Sequence, residues 1–135
     1  MDAFDRILEL SRSGLYCAQI MVQLALDAEG KENAELVDAV RGLCGGFAWS
    51  SGPCGVLIGG ICLLTMLGRE LSEEDKIKLI GEYHDWFRQR TAQYGGENCD
   101  CILQGDRNNM YVTCPGVVVD SYAKCVELLQ ERGLA

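Results

Sequence analysis

The chain has 135 residues, of which 48% are hydrophobic and 24% charged, and its formal net charge is −8. These values are typical of a globular domain and exclude a disordered chain. The acidic balance excludes a nucleic-acid-binding protein, because the sequence has no basic patch to neutralise phosphates. We expect residues 1–135 to form one domain.

Hydrophobic residues recur at intervals of three and four, and no segment alternates as a β-strand does. The pattern therefore predicts an all-α bundle of five to six helices. Residues 97–113 are predicted to be irregular, because turn-forming residues cluster there. The predicted helices are 2–11, 14–28, a helix from Asn33 to the glycines at 45–46, 53–67, a helix from Ser72 to Gly95, and a last helix that begins at Pro115.

The helix at 53–67 is the most apolar and glycine-rich segment, and we expect it to lie at the centre of the bundle against the helix at 14–28. Ser13 is predicted to cap the latter helix, and Gly30 to end it in a left-handed conformation. Pro53 suits the first position of the central helix. With about 15 residues, this helix is shorter than the ~20 that cross a bilayer, so no membrane insertion is expected.

Eight cysteines dominate the chemistry of the sequence. No two of them are spaced as C-x-x-C, which excludes a thioredoxin motif, a c-type haem attachment site and zinc-ribbon knuckles. The N-terminus does not resemble a signal peptide, so we expect a cytoplasmic protein in which clustered cysteines bind metal or carry out redox chemistry. The cysteines are Cys17, Cys44, Cys54, Cys62, Cys99, Cys101, Cys114 and Cys125.

Three of these cysteines lie near predicted helix N-termini, namely Cys17, Cys54 and Cys114. Free N–H groups and the helix dipole stabilise a thiolate at such a position, and the thiolate is both the nucleophile and the metal ligand. Cys99 lies in the predicted loop and is free to fold onto them. We predict that these four cysteines form one site, with Cys101 as a further metal ligand. Cys44 closes a predicted helix, and its role stays open between a nearby alternate ligand and a core residue.

The segments around these cysteines resemble a known family. The chain is similar to small prokaryotic proteins that are described as redox-active and are named for a C…GCAxxG…C…C pattern. The motif corresponds here to residues 54–59, with Val56 where the family has alanine. The resemblance covers nearly the whole chain and matches Cys17, Cys54, Cys99 and Cys114 in order. It implies a redox role and association with oxidoreductase or transporter systems.

Three hypotheses follow. In the first, the thiolates of Cys17, Cys54, Cys99 and Cys114 hold an iron–sulfur cluster or zinc for electron transfer or redox sensing. In the second, the chemistry is metal-free thiol–disulfide exchange, with Cys54 or Cys114 as the catalytic thiolate. In the third, the cysteines are structural, and the chain is a helical interaction or scaffold module. A redox partner protein is the expected partner, and a homodimer through the glycine-rich helix is compatible with the pattern.

Overall fold

The structure is a computed structural model that describes residues 2–134; residues 1 and 135, which the single-domain prediction also covers, lie outside that description. Within residues 2–134 the fold is all-α, as predicted, with no β-strand. It has seven right-handed α-helices, more than the five or six predicted. They are α1 (Ala3–Arg12), α2 (Cys17–Glu29), α3 (Ala34–Ala39), α4 (Gly55–Leu67), α5 (Glu73–Thr91), α6 (Cys99–Leu103) and α7 (Cys114–Gln130).

Short side chains begin and end several helices as the sequence predicts. Asn33 Oδ1 accepts a hydrogen bond from the backbone N–H of Leu36 at the start of α3. Ser72 Oγ does the same for Asp75 at the start of α5. Gly30 follows α2 in the left-handed conformation, with φ of 64°. The side chains of Asn33 and Ser72 thus pair backbone N–H groups that the start of a helix leaves free.

Three boundary predictions are wrong. Ser13 does not cap α2, because its hydroxyl bonds back to Leu10 and the helix begins only at Cys17. Pro53 is not in α4, because it pairs with Asn98 in an isolated β-bridge and leaves Cys54 as the N-cap. The segment 97–113 is not wholly irregular, since it contains α6 and the 3₁₀ turn Arg107–Tyr111.

Helix α4 lies at the centre of the bundle and packs closely on α2, as predicted. A Cβ atom on Gly59 would lie 2.8 Å from the Cα atom of Ala18, so glycine is what allows the two backbones to approach. On another face of α4, Gly60 leaves room for the hydroxyl group of Tyr83 from α5. That hydroxyl donates a 2.9 Å hydrogen bond to the carbonyl oxygen of Val56. Glycines thus allow α2 and α5 to approach the central helix closely.

The helices of residues 2–134 include none with the length and hydropathy that spanning a bilayer would need. The hydrophobic core forms two clusters around α4 and α2. The larger cluster contains residues from α1, α2, α4, α5, α6 and α7, and it includes Cys54 and Cys125. Cys54, at the start of α4, is therefore at once part of the core and part of the site described next.

Candidate functional site

A left-handed turn separates the 3₁₀ segment Val40–Leu43 from α4. Five consecutive residues, 45–49, have φ between 54° and 72°. The first two are glycines, but Phe47, Ala48 and Trp49 adopt the same conformation, which costs roughly 1–2 kcal/mol for each residue with a Cβ atom. Strained backbone of this kind is found where neighbouring structure holds it in place.

The neighbouring structure is a pair of backbone hydrogen bonds that joins two cysteine segments. The N–H of Cys54 donates to the carbonyl oxygen of Glu97, and the N–H of Cys99 donates to that of Gly52, at 2.9 and 3.0 Å. The left-handed turn packs directly on this pair, because a Cβ atom on Gly46 would lie 2.8 Å from the Cβ atom of Cys99. Cys54 and Cys99, remote in sequence, are held side by side in this way.

One cavity of about 320 Å³ is lined by four cysteines that come from four separate segments. Each of the four is the N-cap or the first residue of a helix, where backbone N–H groups are free. Apolar side chains from α1, α2, α6 and α7, together with aromatic side chains from the segments between helices, form most of the remaining wall. The cysteines of the cavity are Cys17, Cys54, Cys99 and Cys114.

A fifth cysteine lies behind Cys17. A Cβ atom on Gly55 would overlap the Sγ atom of Cys17 and would lie 3.2 Å from the Cα atom of Cys44, so the two cysteines meet at this glycine. Cys44 is buried, and it does not line the cavity as Cys17 does. Cys17 and Cys44 are therefore a thiol pair with one member facing the cavity and the other enclosed.

The two thiols of this pair have opposite pKa shifts. A hydrogen bond from the Cys17 thiol, together with backbone N–H groups of Gln19 and Ala18 in the first turn of α2, lowers the pKa of Cys44 to about 6, against the opposing effect of burial. The same hydrogen bond and burial raise the pKa of Cys17 well above its ordinary value. Cys44 is therefore the more readily ionised of the two, and in its thiol form it donates a 3.8 Å hydrogen bond to the carbonyl oxygen of Val40.

The pKa values of the other cavity cysteines shift in the direction opposite to the one that their helix positions predict. Burial raises the pKa of Cys54 to about 12 and that of Cys114 to about 11. Burial also raises the pKa of Cys99, and the nearby Asp100 carboxylate adds to this effect. Desolvation therefore outweighs the N–H groups of α4 at Cys54 and is the main cause of the shift at Cys114. Both shifts run against the low-pKa thiolate that the thiol–disulfide hypothesis predicts.

The remaining cysteines lie away from the cavity wall. Cys101 is half-buried, and its Sγ atom lies 3.3 Å from the position of a Cβ atom on Gly96. Cys62 packs partly buried beside the smaller core cluster, and Cys125 is fully buried in the larger one. The structure does not bring Cys101 together with the four cavity cysteines. In the described part of the chain, no three Cys, His, Asp or Glu side chains are arranged to hold one metal ion.

Sequence reasoning left the role of Cys44 open, because its position at the end of a predicted helix favours no particular chemistry. The signal that could have identified it is the glycine pair that follows. Gly45 allows the chain to turn in the left-handed sense, and its N–H group points to the Cys17 sulfur and stabilises negative charge there. The turn therefore brings Cys44 to the first turn of α2.

Comparison with known proteins gives one informative match. The family model described as "Putative redox-active protein (C_GCAxxG_C_C)" matches residues 15–128. That range contains all eight cysteines, the glycine-rich helix and every part of the cavity wall except those contributed by α1 and Gly14. No curated protein and no solved structure is significantly similar to this chain.

Proposed function

This chain belongs to the C_GCAxxG_C_C family of redox-active proteins, and we propose that its redox reaction is thiol–disulfide exchange at the Cys17–Cys44 pair. The observation that carries the proposal is the position of the pair. Cys17 faces the cavity while Cys44, with its lowered pKa, lies directly behind it. Exchange needs an attacking sulfur that gives up its proton, and the Cys44 thiolate is the base that takes this proton from Cys17.

The first step is attack on a disulfide, R–S–S–R, that enters the cavity. The Cys44 thiolate takes the proton of the Cys17 thiol as the Cys17 sulfur forms a bond to one sulfur of the disulfide. The S–S bond of the substrate breaks, and one RS⁻ leaves with the bonding electron pair. The product is a mixed disulfide on Cys17, with a neutral thiol on Cys44.

The second step closes the protein disulfide. The departed RS⁻ takes the Cys44 proton and becomes RSH, which restores the Cys44 thiolate. That thiolate attacks the Cys17 sulfur and expels the second RS⁻. The pair has then lost one proton and two electrons to the substrate, which is reduced to one RSH and one RS⁻, so atoms and charge balance. The reverse sequence reduces the pair again.

The test is a count of free thiols across glutathione redox buffers of increasing oxidation. The wild-type protein should lose two thiols together in one transition. Cys44→Ala should instead lose one thiol, as a mixed disulfide with glutathione, because no resolving sulfur remains. Cys62→Ala, which removes a half-buried cysteine outside the cavity, is the matched control and should behave as the wild type. Loss of two thiols together in Cys44→Ala would overturn the proposal.

A second candidate is a four-cysteine iron–sulfur centre, and the observation that favours it is the convergence of Cys17, Cys54, Cys99 and Cys114 on one cavity. Soft thiol donors and free helix N–H groups fit such a centre, which would supply one-electron chemistry when bound. Its ligands would have to move closer than they lie here, or be bridged by the cluster's own sulfides. Iron and acid-labile sulfide in oxygen-free protein, lost together in Cys54→Ala, would support this candidate over thiol exchange.

A further inference from the structure

Two aromatic side chains of the cavity wall each contact the guanidinium group of an arginine. The guanidinium carbon of Arg41 lies 4.7 Å from the ring centroid of Tyr16, and that of Arg107 lies 3.9 Å from the ring centroid of Trp49. Both rings line the cavity. These distances are within the range of cation–π contacts, which hold the guanidinium groups against rings of the cavity wall. Arg41 and Arg107 do not line the cavity themselves, but their positive charges lie next to residues that do.

The charges of these arginines are not neutralised by ion pairs. Neither Arg41 nor Arg107 makes a salt bridge within residues 2–134, although most arginines there do. Both charges also act on thiols of the site, since Arg41 adds to the lowering of the Cys44 pKa and Arg107 partly offsets the rise in the Cys99 pKa. In a chain with a net charge of −8, two cations without ion-pair partners thus lie near one cavity.

From this arrangement we infer that the cavity binds a small disulfide with carboxylate groups, which Arg41 and Arg107 hold while its sulfurs reach Cys17. The inference rests on the proposed thiol–disulfide exchange and adds the substrate class. A cavity of about 320 Å³ is at the lower end of the range for small-molecule sites. Because the site is concave, it fits a small molecule better than it fits the flat surface of a partner protein. Arginine is the side chain best suited to bind a carboxylate through two hydrogen bonds.

One carboxylate opposes these arginines. The charge of Asp100 raises the pKa of Cys99, and its Oδ2 atom accepts a 2.5 Å hydrogen bond from the hydroxyl of Ser51. An anionic substrate is repelled by this group and attracted by the two arginines. The preference for an anionic over a neutral disulfide should therefore increase when Asp100 is made neutral. It should decrease when either arginine is made neutral.

The experiment compares the rates at which three disulfides oxidise the intact protein at low ionic strength. They are glutathione disulfide, which is anionic, hydroxyethyl disulfide, which is neutral, and cystamine, which is cationic. Arg41→Gln and Arg107→Gln should each lower the ratio of the glutathione disulfide rate to the hydroxyethyl disulfide rate about three- to tenfold. Asp100→Asn should accelerate glutathione disulfide. Lys78→Gln, which removes an exposed positive charge from α5, is the control and should have no effect.

Equal slowing of the neutral disulfide by the arginine variants would overturn the inference, since the arginines would then act on structure rather than on charge. An unchanged rate with glutathione disulfide would also overturn it. Binding of S-methylglutathione, which cannot exchange, separates this inference from the proposed function. If it binds the wild type and binds the arginine variants more weakly, the anion site stands even where exchange fails. Binding of a polyglutamate peptide but not of S-methylglutathione would contradict a small-molecule site.

Discussion

The Sγ atom of Cys17 lies against the Cα atom of Gly55, in the space that a Cβ atom at this position would occupy. The same Cβ atom would also lie 3.2 Å from the Cα atom of Cys44. Gly55 follows the motif cysteine Cys54, and both Cys17 and Cys44 pack against it. This relationship gives a structural reason for the C-G step of the motif.

Gly55→Ala should separate the thiol pair. The methyl group has no space beside Cys17, and overpacking of this kind destabilises a protein by roughly 1–3 kcal/mol. Denaturant unfolding measures the stability, and thiolate absorbance in the ultraviolet at pH 7 measures the Cys44 thiolate, which should fall. Gly81→Ala is the control, because a Cβ atom there meets nothing within 4 Å and alanine favours the α5 helix. Equal stability and equal thiolate absorbance in the two variants would refute the steric argument.

The Cys44 thiolate should be detectable by its pH dependence. We expect thiolate absorbance in the ultraviolet to increase around pH 6 in the wild type, because hydrogen bonds lower the pKa of Cys44 to about 6. Cys17→Ala removes the strongest of these bonds and should move the increase to higher pH. An increase at the same pH in Cys17→Ala would show that the partner thiol does not set the pKa.

The same pKa shift predicts how stability depends on pH. A thiol whose pKa is lower in the folded than in the unfolded chain contributes stability above its unfolded pKa, and this contribution is lost as pH falls through the folded value of about 6. The free energy of unfolding should therefore rise from pH 6 to pH 8.5 more steeply in the wild type than in Cys44→Ala. Parallel curves would contradict a thiolate that is stabilised by the fold.

Ala48→Gly should stabilise the protein, because Ala48 is exposed and has φ of 54° in the left-handed turn. Removing its Cβ atom relieves strain worth about 1 kcal/mol, less the entropy that glycine gains in the unfolded chain. Ala28→Gly, at an exposed position in the right-handed helix α2, should destabilise by a similar amount. Thermal unfolding of both variants gives the comparison, and a loss of stability in Ala48→Gly would refute the left-handed assignment.

Cys54→Ala separates the two candidate functions. Cys54 lines the cavity but does not belong to the thiol pair, and burial raises its pKa to about 12. Exchange with glutathione disulfide should therefore continue in this variant. Time courses of thiol loss measure it, with Cys62→Ala as the control. Complete loss of redox activity in Cys54→Ala would favour the four-cysteine centre.

Local patterns in the sequence predict most of the fold. The apolar spacing and the caps at Asn33 and Ser72 locate their helices, and the glycine-rich segment identifies the central one. The boundaries around Cys54 and Cys99 could not be predicted, because long-range hydrogen bonds decide them. Pro53 pairs with Asn98 instead of opening a helix, and α6 forms within a segment whose composition favours turns.

The site could be predicted in part. Helix N-termini and the family resemblance select Cys17, Cys54, Cys99 and Cys114, which line one cavity, although their chemical roles stay predictions. The reactivity of the cysteines could not be predicted, because burial and hydrogen bonds act only in the folded chain. Burial raises the pKa of Cys54 and Cys114, whereas the N–H groups of α2 and the Cys17 thiol lower that of Cys44.

The most direct measurement is a peptide map of the protein after oxidation by glutathione disulfide, with free thiols alkylated before digestion. The account predicts a cross-linked pair of peptides that contain Cys17 and Cys44, and alkylated Cys54, Cys99 and Cys114. A map in which Cys17 is linked to any other cysteine, or in which Cys44 stays alkylated while the protein is fully oxidised, would contradict it.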